Sequence, residues 1–346
     1  MPETLGDVGE FGLIDRIAAL LETEGQCADG VTLGIGDDAA SFRPKPGYDL
    51  LVTCDCAVEG RHWLPQYITA MDLGRRCMTL NISDIGAMGG HPRYALVSLG
   101  LRDDTPVQDV EAMYRGFLAE LTPFGASIIG GNLTNSEGGI FIDITLIGEV
   151  ESGRAVRRST ARAGDAILVT GYPGQAAAGL KLLLHVRDPE DLKGHPLVKA
   201  YNRPSHRAWE GEAVARTGCA TAMIDTSDGF VGDLGHICTE SGLGAELIQG
   251  HLPLSEDLRR AAEALGLDPH EMVLRDSDDY ELIMTCSPAH VDQICSTVAR
   301  TYDGPVSRVG RMTDSAGEIR LVRPDGSQRR LTASGWNHFG RSGGGI

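Results

Sequence analysis

The chain has 346 residues, of which 42% are hydrophobic, and it carries a formal net charge of −17 at pH 7. This length predicts about two domains, and the hydrophobic content predicts a sizeable core and excludes global disorder. The acidic balance argues against nucleic acid or an anionic membrane surface as the main partner. An anionic substrate stays compatible with it, because bound metal ions invert the local charge.

The 8 cysteines are scattered and show no paired spacing typical of a structural zinc site. We therefore expect reduced thiols in a cytoplasmic protein. The first residues, Met1 to Thr4, lack the apolar stretch of a secretory signal. No apolar run approaches the roughly 20 residues of a membrane helix, so we expect no membrane partner.

The first half of the chain predicts alternating helices and strands. Apolar residues at helical spacing predict an amphipathic helix from Leu13 to Leu21. A loop follows that contains the turn Gly34-Ile35-Gly36-Asp37-Asp38, and the apolar run Leu50 to Thr53 predicts a strand that leads into Asp55. The remaining patterns predict a helix over 71–88, a strand over 94–101, a helix over 107–121 and strands over 127–129 and 140–147.

The predicted helix over 71–88 carries a carboxylate on its apolar face. Asp84 lies on the same face as the apolar residues Leu73, Cys77, Leu80 and Met88. A carboxylate on a core-facing side is costly unless it binds a metal or pairs with a cation. Two interpretations therefore stay open, a metal ligand and an ion pair with a buried arginine.

The polar segment 151–154 predicts a boundary between a domain over 1–150 and a domain over 151–346. After it we predict a strand over 166–170, a helix rich in alanine and leucine, and a polar surface segment over 187–204. A helix over 208–216, a strand over 222–224 and a further helix with Phe230 and Leu234 follow. The rest predicts a helix after Ser255, strands over 281–286 and 305–309, and a hairpin that joins 319–321 to 330–331. Ser227, Asp228 and Ser255 are candidate helix N-caps.

Carboxylates recur at the turns and ends of these elements. Magnesium prefers oxygen ligands and usually shares them with substrate phosphates. The chain lacks GxGxxG after a first strand and GxxxxGK[ST], which excludes the Rossmann and P-loop motifs. We predict a site in which acidic residues bind magnesium and a nucleotide phosphate. For the turn over 34–38 the alternative is an ordinary acidic turn. The five carboxylates are Asp38, Asp55, Asp84, Asp225 and Asp228.

These motifs occur in the order of one known family. After the turn over 34–38 come Asp55 with Val58-Glu59-Gly60 and His62, Asn81-Ile82-Ser83-Asp84-Ile85, Gly130-Gly131, Asp225 with Ser227-Asp228-Gly229, and Asp279-Tyr280-Glu281-Leu282. On these motifs the chain resembles the thiamine-monophosphate kinase family. The wider superfamily includes aminoimidazole ribonucleotide (AIR) synthetase, selenophosphate synthetase and the hydrogenase maturation dehydratases. The resemblance extends from about residue 10 to residue 339.

The resemblance implies an α/β fold of mixed α+β type with two domains, as in AIR synthetase. The domain over 1–150 would bind ATP and magnesium, and its mixed sheet would form a barrel in a homodimer. The domain over 151–346 would be an α/β sandwich. The implied reaction is direct transfer of the γ-phosphoryl group of ATP to thiamine monophosphate, giving thiamine diphosphate, without a covalent enzyme intermediate.

The resemblance also implies roles for individual residues. Charge neutralisation would come from metal ions held by Asp55, Asp84 and Asp228. The implied metal ligands are Asp38, Thr53, Cys54, Asp55, Asp84, Asn132, Asp225 and Asp228. ATP would contact Tyr114, Gly131, Asn132, Arg158 and Ser227, and the thiamine part would contact His62, Asp278 and Trp336.

The chain departs from the family pattern in two loops and in the segment Thr53-Cys54-Asp55-Cys56, which reads Ser-Thr-Asp-Thr in the family. The family sequence Gly-Gly-Asp-Thr-Thr-Arg reads Gly-Gly-Asn-Leu-Thr-Asn over 130–135, so a carboxylate and an arginine are missing. A family Ser-Gly-Gly reads Arg275-Asp276-Ser277. Two alternatives therefore stay open, a related ATP-dependent phosphotransferase or synthetase with another small acceptor, and a nucleotide-binding homologue without turnover.

Overall fold

The computed structural model describes residues 2–25 and 27–332. The chain forms two compact units. Among the described residues, the first contains 2–25, 27–85 and Gly90–Gly153, and the second contains Gly86–Gly89 and 154–332. Within the described ranges, no helix combines the length and the apolar character needed to cross a membrane.

The first unit is built on a four-stranded mixed sheet. Its elements are α1 (Leu5–Glu24), β1 (Val31–Leu33), β2 (Ser41–Phe42), β3 (Tyr48–Val58), α2 (Ala70–Ala87), β4 (His91–Leu101), α3 (Val107–Leu121), β5 (Ser127–Asn135) and β6 (Phe141–Glu151). The strand order is β3-β6-β4-β5, and β1 pairs separately with β2. β6 is antiparallel to both β3 and β4, whereas β4 and β5 are parallel.

One face of this sheet forms the core of the first unit. The strand predicted over 140–147 is confirmed as β6, in which Ile142, Ile144 and Leu146 are fully buried. On the same side α2 and α3 approach each other closely. A Cβ on Gly74 would lie 2.1 Å from the carbonyl oxygen of Met113, so only glycine permits this approach.

The predicted apolar face of α2 is only half correct. Leu73 and Cys77 are buried, but Leu80 is half-buried and Met88 is 37% exposed. Helical spacing gives the angle between side chains, but it does not give the sides of a helix that neighbours cover. Asp84 is accordingly half-buried rather than enclosed in the core.

The opposite face of the sheet is only partly covered. The ring of Tyr94 stacks on Phe42 of β2 with a centroid distance of 4.3 Å. Tyr94 also donates a hydrogen bond to the carbonyl oxygen of Asp29. Beyond this hairpin, Leu50, Val52 and Phe141 stay exposed, Val52 by 65%.

The second unit is a mixed seven-stranded sheet with helices on both faces. Its elements are β7 (Ala166–Thr170), α4 (Gln175–His185), α5 (Pro196–Asn202), α6 (Ala208–Thr217), β8 (Ala220–Asp225), α7 (Phe230–Ser241), β9 (Gly244–Ile248), α8 (Glu256–Leu265), α9 (Pro269–Leu274), β10 (Leu282–Cys286), α10 (Val291–Val298), β11 (Val306–Thr313), β12 (Ile319–Val322) and β13 (Gln328–Leu331). The strand order is β13-β12-β9-β11-β7-β10-β8. β12 is parallel to β9, and the other neighbouring pairs are antiparallel.

Two apolar clusters lie on the two faces of the second sheet. Ile167 and Val169 of β7 belong to a cluster that includes residues of α7, α8 and α9. Leu168, the residue between them, belongs to the other cluster, with residues of α6 and α10. Because both faces are covered, β7 is buried along its whole length. The predicted α/β sandwich is thus confirmed.

The segment predicted as a polar surface excursion over 187–204 is partly wrong. It contains α5, in which Leu197 and Tyr201 are buried. A Cβ on Gly179 of α4 would lie 2.0 Å from the carbonyl oxygen of Leu197, so α5 packs tightly on α4. The seven residues of α5 are too few to show a helical period against the polar sequence around them.

Candidate functional site

In the first unit, the candidate acidic residues meet between β3 and α2. Thr53 and Asp55 alternate with Cys54 along β3, so they point to the face that carries α2. The hydroxyl of Thr53 donates a hydrogen bond to the carboxylate of Asp84. The carboxyl groups of Asp55 and Asp84 are also in hydrogen-bonding contact.

Two carboxyl groups in such contact cannot both be ionised without a compensating cation. Burial, and then the neighbouring charge of Asp84, raise the pKa of Asp55 from 3.8 to about 7. One turn before Asp84, the Oδ1 atom of Asn81 is buried without a hydrogen-bond partner. Carboxylate, hydroxyl and amide oxygens are the donors that magnesium prefers. The residues present therefore fit a magnesium ion at this position.

Asn132 and Cys54 lie on the other face of the same sheet. Cross-strand pairing places Cys56, Asp143, Ser98 and Asn132 in one row across the four strands. The Cys54 thiol also faces this side and donates a hydrogen bond to Asp143 over 3.3 Å. The structure therefore does not bring the side chains of Asn132 and Cys54 together with the pair Asp55–Asp84.

The other candidates of the first unit are dispersed. Asp38 is exposed between β1 and β2, and its N–H donates to the carboxylate of Asp37 over 2.8 Å. Tyr114 is buried in α3, edge-on against Phe117, and burial raises the pKa of its hydroxyl. The Nδ1 atom of His62 accepts the N–H of Val58 over 3.0 Å.

Gly131 is constrained by the sheet itself. A Cβ at this position would lie 1.9 Å from the carbonyl oxygen of Val97 on the neighbouring strand β4. Asn135, which stands where the family has an arginine, donates a hydrogen bond from its side chain to Asp103. The segment 130–135, expected as a loop, thus forms the second half of strand β5 (Ser127–Asn135).

In the second unit, β8 ends in an acidic loop that leads into α7. Asp225 is the last residue of the strand, and Gly229 is the N-cap of the helix. Neither Ser227 nor Asp228 caps α7 with its side chain, so that expectation is wrong. Asp233 takes this role, because its Oδ2 atom accepts the N–H groups of Asp228 over 3.1 Å and Gly229 over 3.0 Å.

Asp233 makes this loop strongly acidic. Burial comes first among the causes that raise the pKa of Asp233 to about 8, followed by the charges of Asp225 and Asp228. Ligand atoms of Asp228, Asp233 and His236 lie within 4.8 Å of one another. Asp233 and Asp143 were not among the candidates predicted from the sequence. The spacing of Asp233 from Asp228 was the available signal, since it places Asp233 in the first turn of the following helix.

A second loop, residues 275–281, is tied to this acidic loop through the backbone. Thr226 donates its N–H to the carbonyl oxygen of Glu281 over 2.8 Å, and its own carbonyl oxygen accepts the N–H of Tyr280 over 2.8 Å. Its hydroxyl also accepts the N–H of Glu281 over 3.0 Å. Tyr280 has a φ of 56°, a strained backbone conformation that these bonds hold in place.

The motif Asp279-Tyr280-Glu281 anchors this second loop to its surroundings. The buried carboxylate of Asp279 accepts the N–H groups of Gly174 and Ala176 at the start of α4. Burial raises the pKa of Asp279 to about 6 despite these bonds. Ser277 accepts the N–H of Ala177 over 3.1 Å. Asp278, the predicted substrate contact, is half-buried between these anchors.

Glu281 forms a two-point ion pair with Arg207. Its two carboxylate oxygens accept hydrogen bonds from Arg207 over 2.6 and 2.7 Å. Thr170 adds a third bond over 2.6 Å, and the guanidinium lies 4.1 Å from the ring centroid of Tyr302. This pair holds the end of the second loop against the central strand β7.

Three candidates remain. Arg158 and Ser227 are exposed, which leaves both accessible to a ligand. Trp336 lies outside the described residues. The structure thus brings together Thr53, Asp55 and Asp84 in the first unit, and Asp225 and Asp228 with Asp233 in the second.

Both halves of the chain match models of one family. The model for the N-terminal domain of AIR synthase related proteins matches residues 36–150, and that for the C-terminal domain matches residues 162–322. A thiamine-monophosphate kinase of Aquifex aeolicus (strain VF5) is 33% identical over 335 residues, which cover 97% of this chain and 99% of that protein.

Solved structures agree with these matches. The crystal structure of thiamine-monophosphate kinase from Stenotrophomonas maltophilia K279a is 34% identical with a TM-score of 0.77, and the match covers 92% of this chain and 98% of that one. AaThiL complexed with AMPPCP and TMP is 33% identical with a TM-score of 0.73, and the match covers 97% of this chain and 99% of that one. The two domains and their acidic loops are those of an AIR synthase related protein. Within that class, the chain belongs to the thiamine-monophosphate kinase family.

Proposed function

We propose that this protein transfers the γ-phosphoryl group of ATP to the phosphate of thiamine monophosphate and so forms thiamine diphosphate. The observation that carries the proposal is the contact between Asp55 and Asp84, because two carboxyl groups held together with a raised pKa are suited to a divalent cation. The complex of the relative AaThiL with AMPPCP, an ATP analogue, and TMP supports the same substrates.

The chain's own residues would act by binding and positioning. Magnesium, when bound, neutralises phosphate charge and polarises the transferred group. In the first unit Asp55 and Asp84 would hold the cation, and Thr53 orients Asp84 through its hydroxyl. In the second unit Asp225 and Asp228 would provide a further acidic group. Transfer would be direct and in line, without a covalent enzyme intermediate.

Substrate contacts belong to the same proposal. ATP would contact Tyr114, Gly131, Asn132, Arg158 and Ser227, and the thiamine part would contact His62, Asp278 and Trp336. The ties of the 275–281 loop to Thr226 and to α4 support a fixed position for Asp278. Asp38 and the backbone at Cys54 would complete the set of oxygen donors.

We further propose that two copies pair through the exposed face of the first sheet. Leu50, Val52 and Phe141 expose apolar side chains there, next to a row of polar residues. Closing two such faces into a barrel would cover them and remove free sheet edges. Val52→Asp should yield a monomer in sedimentation equilibrium, whereas a wild type that stays monomeric at high concentration would contradict the pairing.

The state of the cysteines bears on the location of the protein. All eight cysteines are free thiols, which supports a cytoplasmic location.

The function is tested with purified protein, ATP, magnesium and thiamine monophosphate, with thiamine diphosphate measured by chromatography. We expect product in the wild type and a loss of at least about 100-fold in turnover for Asp84→Asn. Asp49→Asn, on the same strand as Asp55 but exposed, is the matched control and should retain turnover. ATP consumption with another acceptor only, or nucleotide binding without turnover, would refute the proposal. Both of these outcomes are tested because Asn132 and residues 275–277 depart from the family pattern.

A further inference from the structure

The turn between β8 and α7 is shaped by one buried carboxylate. Asp233 is 1% exposed, and its Oδ2 atom accepts two successive N–H groups, those of Asp228 and Gly229. These N–H groups precede the first turn of α7, where a helix has no internal partners for its donors. The carboxylate therefore fixes the backbone of Asp228 directly.

The turn is also shaped by close packing at Gly229. Gly229 has a φ of +114°, and a Cβ there would lie 2.6 Å from the carbonyl oxygen of Arg275. Only glycine adopts this conformation without strain and leaves room for the 275–281 loop. The N–H group of Gly229 still needs an acceptor, and Asp233 provides it.

The position of Asp233 is also unfavourable for its own charge. Asp225 and Asp228 are close enough to repel it, and within the described part of the chain no lysine or arginine forms an ion pair with it. Ligand atoms of Asp228, Asp233 and His236 lie within 4.8 Å of one another, so Asp233 adds negative charge directly beside Asp228.

We propose that Asp233 is a positioning residue that holds the Asp228 carboxylate in the orientation needed to bind a magnesium–nucleotide complex. The inference rests on the proposed function only in taking Asp228 as a residue of the cation site. Asp233 acts through the backbone N–H groups of Asp228 and Gly229 and contributes negative charge behind the loop. Its Oδ2 atom is occupied by these two donors.

The test compares Asp233→Asn and Asp233→Ala with the wild type. Asparagine keeps an oxygen that accepts the N–H groups but removes the charge, whereas alanine removes both. The control is Asp165→Asn, a carboxylate of the same unit that is also buried and accepts the N–H of Arg162 over 2.8 Å and the hydroxyl of Thr221 over 2.6 Å. Asp165 lies in a turn before β7, outside the acidic loop.

The measurement is the dissociation constant of AMPPCP by calorimetry across a magnesium titration, with a thermal melt of each variant. We expect Asp233→Ala to weaken magnesium-dependent binding by about 30-fold and Asp233→Asn by about 5-fold, as for residues that orient metal ligands. Asp165→Asn should lower the melting temperature and change binding by less than roughly twofold.

Three outcomes would overturn the inference. Binding by both Asp233 variants that matches the wild type would show that the residue only stabilises the fold. Equal losses for Asn and Ala would indicate a direct ligand instead of a positioning residue. A wild type that binds no AMPPCP with magnesium would also overturn it. A wild type that binds AMPPCP but forms no thiamine diphosphate would refute only the proposed function.

Discussion

The replacement Asp55→Asn should stabilise the metal-free protein and abolish its response to magnesium. Asp55 is held against Asp84 in a half-buried position, and burial followed by that neighbouring charge raises its pKa from 3.8 to about 7. The folded state thus holds a proton that the unfolded state releases above about pH 4. In the absence of metal, ionisation of Asp55 destabilises the folded state. An asparagine at this position has no charge and avoids this destabilisation.

The sign and size of the effect follow from this difference in pKa. A carboxyl group with a raised folded pKa contributes its stability at low pH and loses it as pH rises from about 4 to about 7. The difference between 3.8 and about 7 corresponds to about 4 kcal/mol at most. This value is an upper limit because Asp55 and Asp84 share the proton. In a unit of this size each kcal/mol moves the melting temperature by roughly 2–4 °C.

The assay is a set of thermal melts of wild type and Asp55→Asn at about pH 5 and pH 8, with EDTA and with magnesium. With EDTA, the wild type should lose more stability than the variant between the two pH values. Magnesium should restore the wild type at pH 8 and leave the variant unchanged. Asp49→Asn, exposed on the same strand, controls for the change in net charge. A lower melting temperature for Asp55→Asn with EDTA at pH 8 would refute the reasoning.

Three further predictions concern other parts of the chain. Glu281→Gln should cost roughly 3–5 kcal/mol in a denaturant titration, because it leaves buried Arg207 unpaired, whereas Glu246→Gln at an exposed pair should cost under about 1 kcal/mol. Burial, and then the charge of Arg207, lower the pKa of His206 from 6.5 to about 4. The folded protein should therefore lose about 3 kcal/mol of unfolding free energy as pH falls through this range. His206→Gln should remove that loss. Asn132→Asp should raise turnover with thiamine monophosphate less than about tenfold, since its side chain lies on the sheet face opposite Asp55; a gain of about 100-fold would contradict this placement.

Much of the fold was predictable because most elements are long or strongly patterned. The alternation in β6 and the apolar spacing in α3 gave elements close to those observed. Ser255 caps α8 as predicted, by accepting the N–H of Leu258 over 3.1 Å. The antiparallel pairing of β12 with β13 confirms the hairpin predicted from Pro324-Asp325-Gly326.

Short elements and the faces of elements were less predictable. β9, α9 and α10 were not identified, since each has only five to eight residues within polar surroundings. The face that a strand residue occupies depends on pairing across the whole sheet, which local sequence does not contain. For this reason the sequence grouped Asn132 with Asp55, while the register of β5 places Asn132 beside Ser98.

The departures from the family pattern leave intact the hydrogen bonds that join the acidic loop to the 275–281 loop. The links between the acidic loop and the 275–281 loop use the backbone of Thr226, Tyr280 and Glu281, and the last two of these match the family motif. Ser277, which replaces a glycine, adds a hydrogen bond to the start of α4. The departure at residues 275–277 therefore keeps this loop anchored to α4 and to the acidic loop, which is the opposite of what decay of the site predicts.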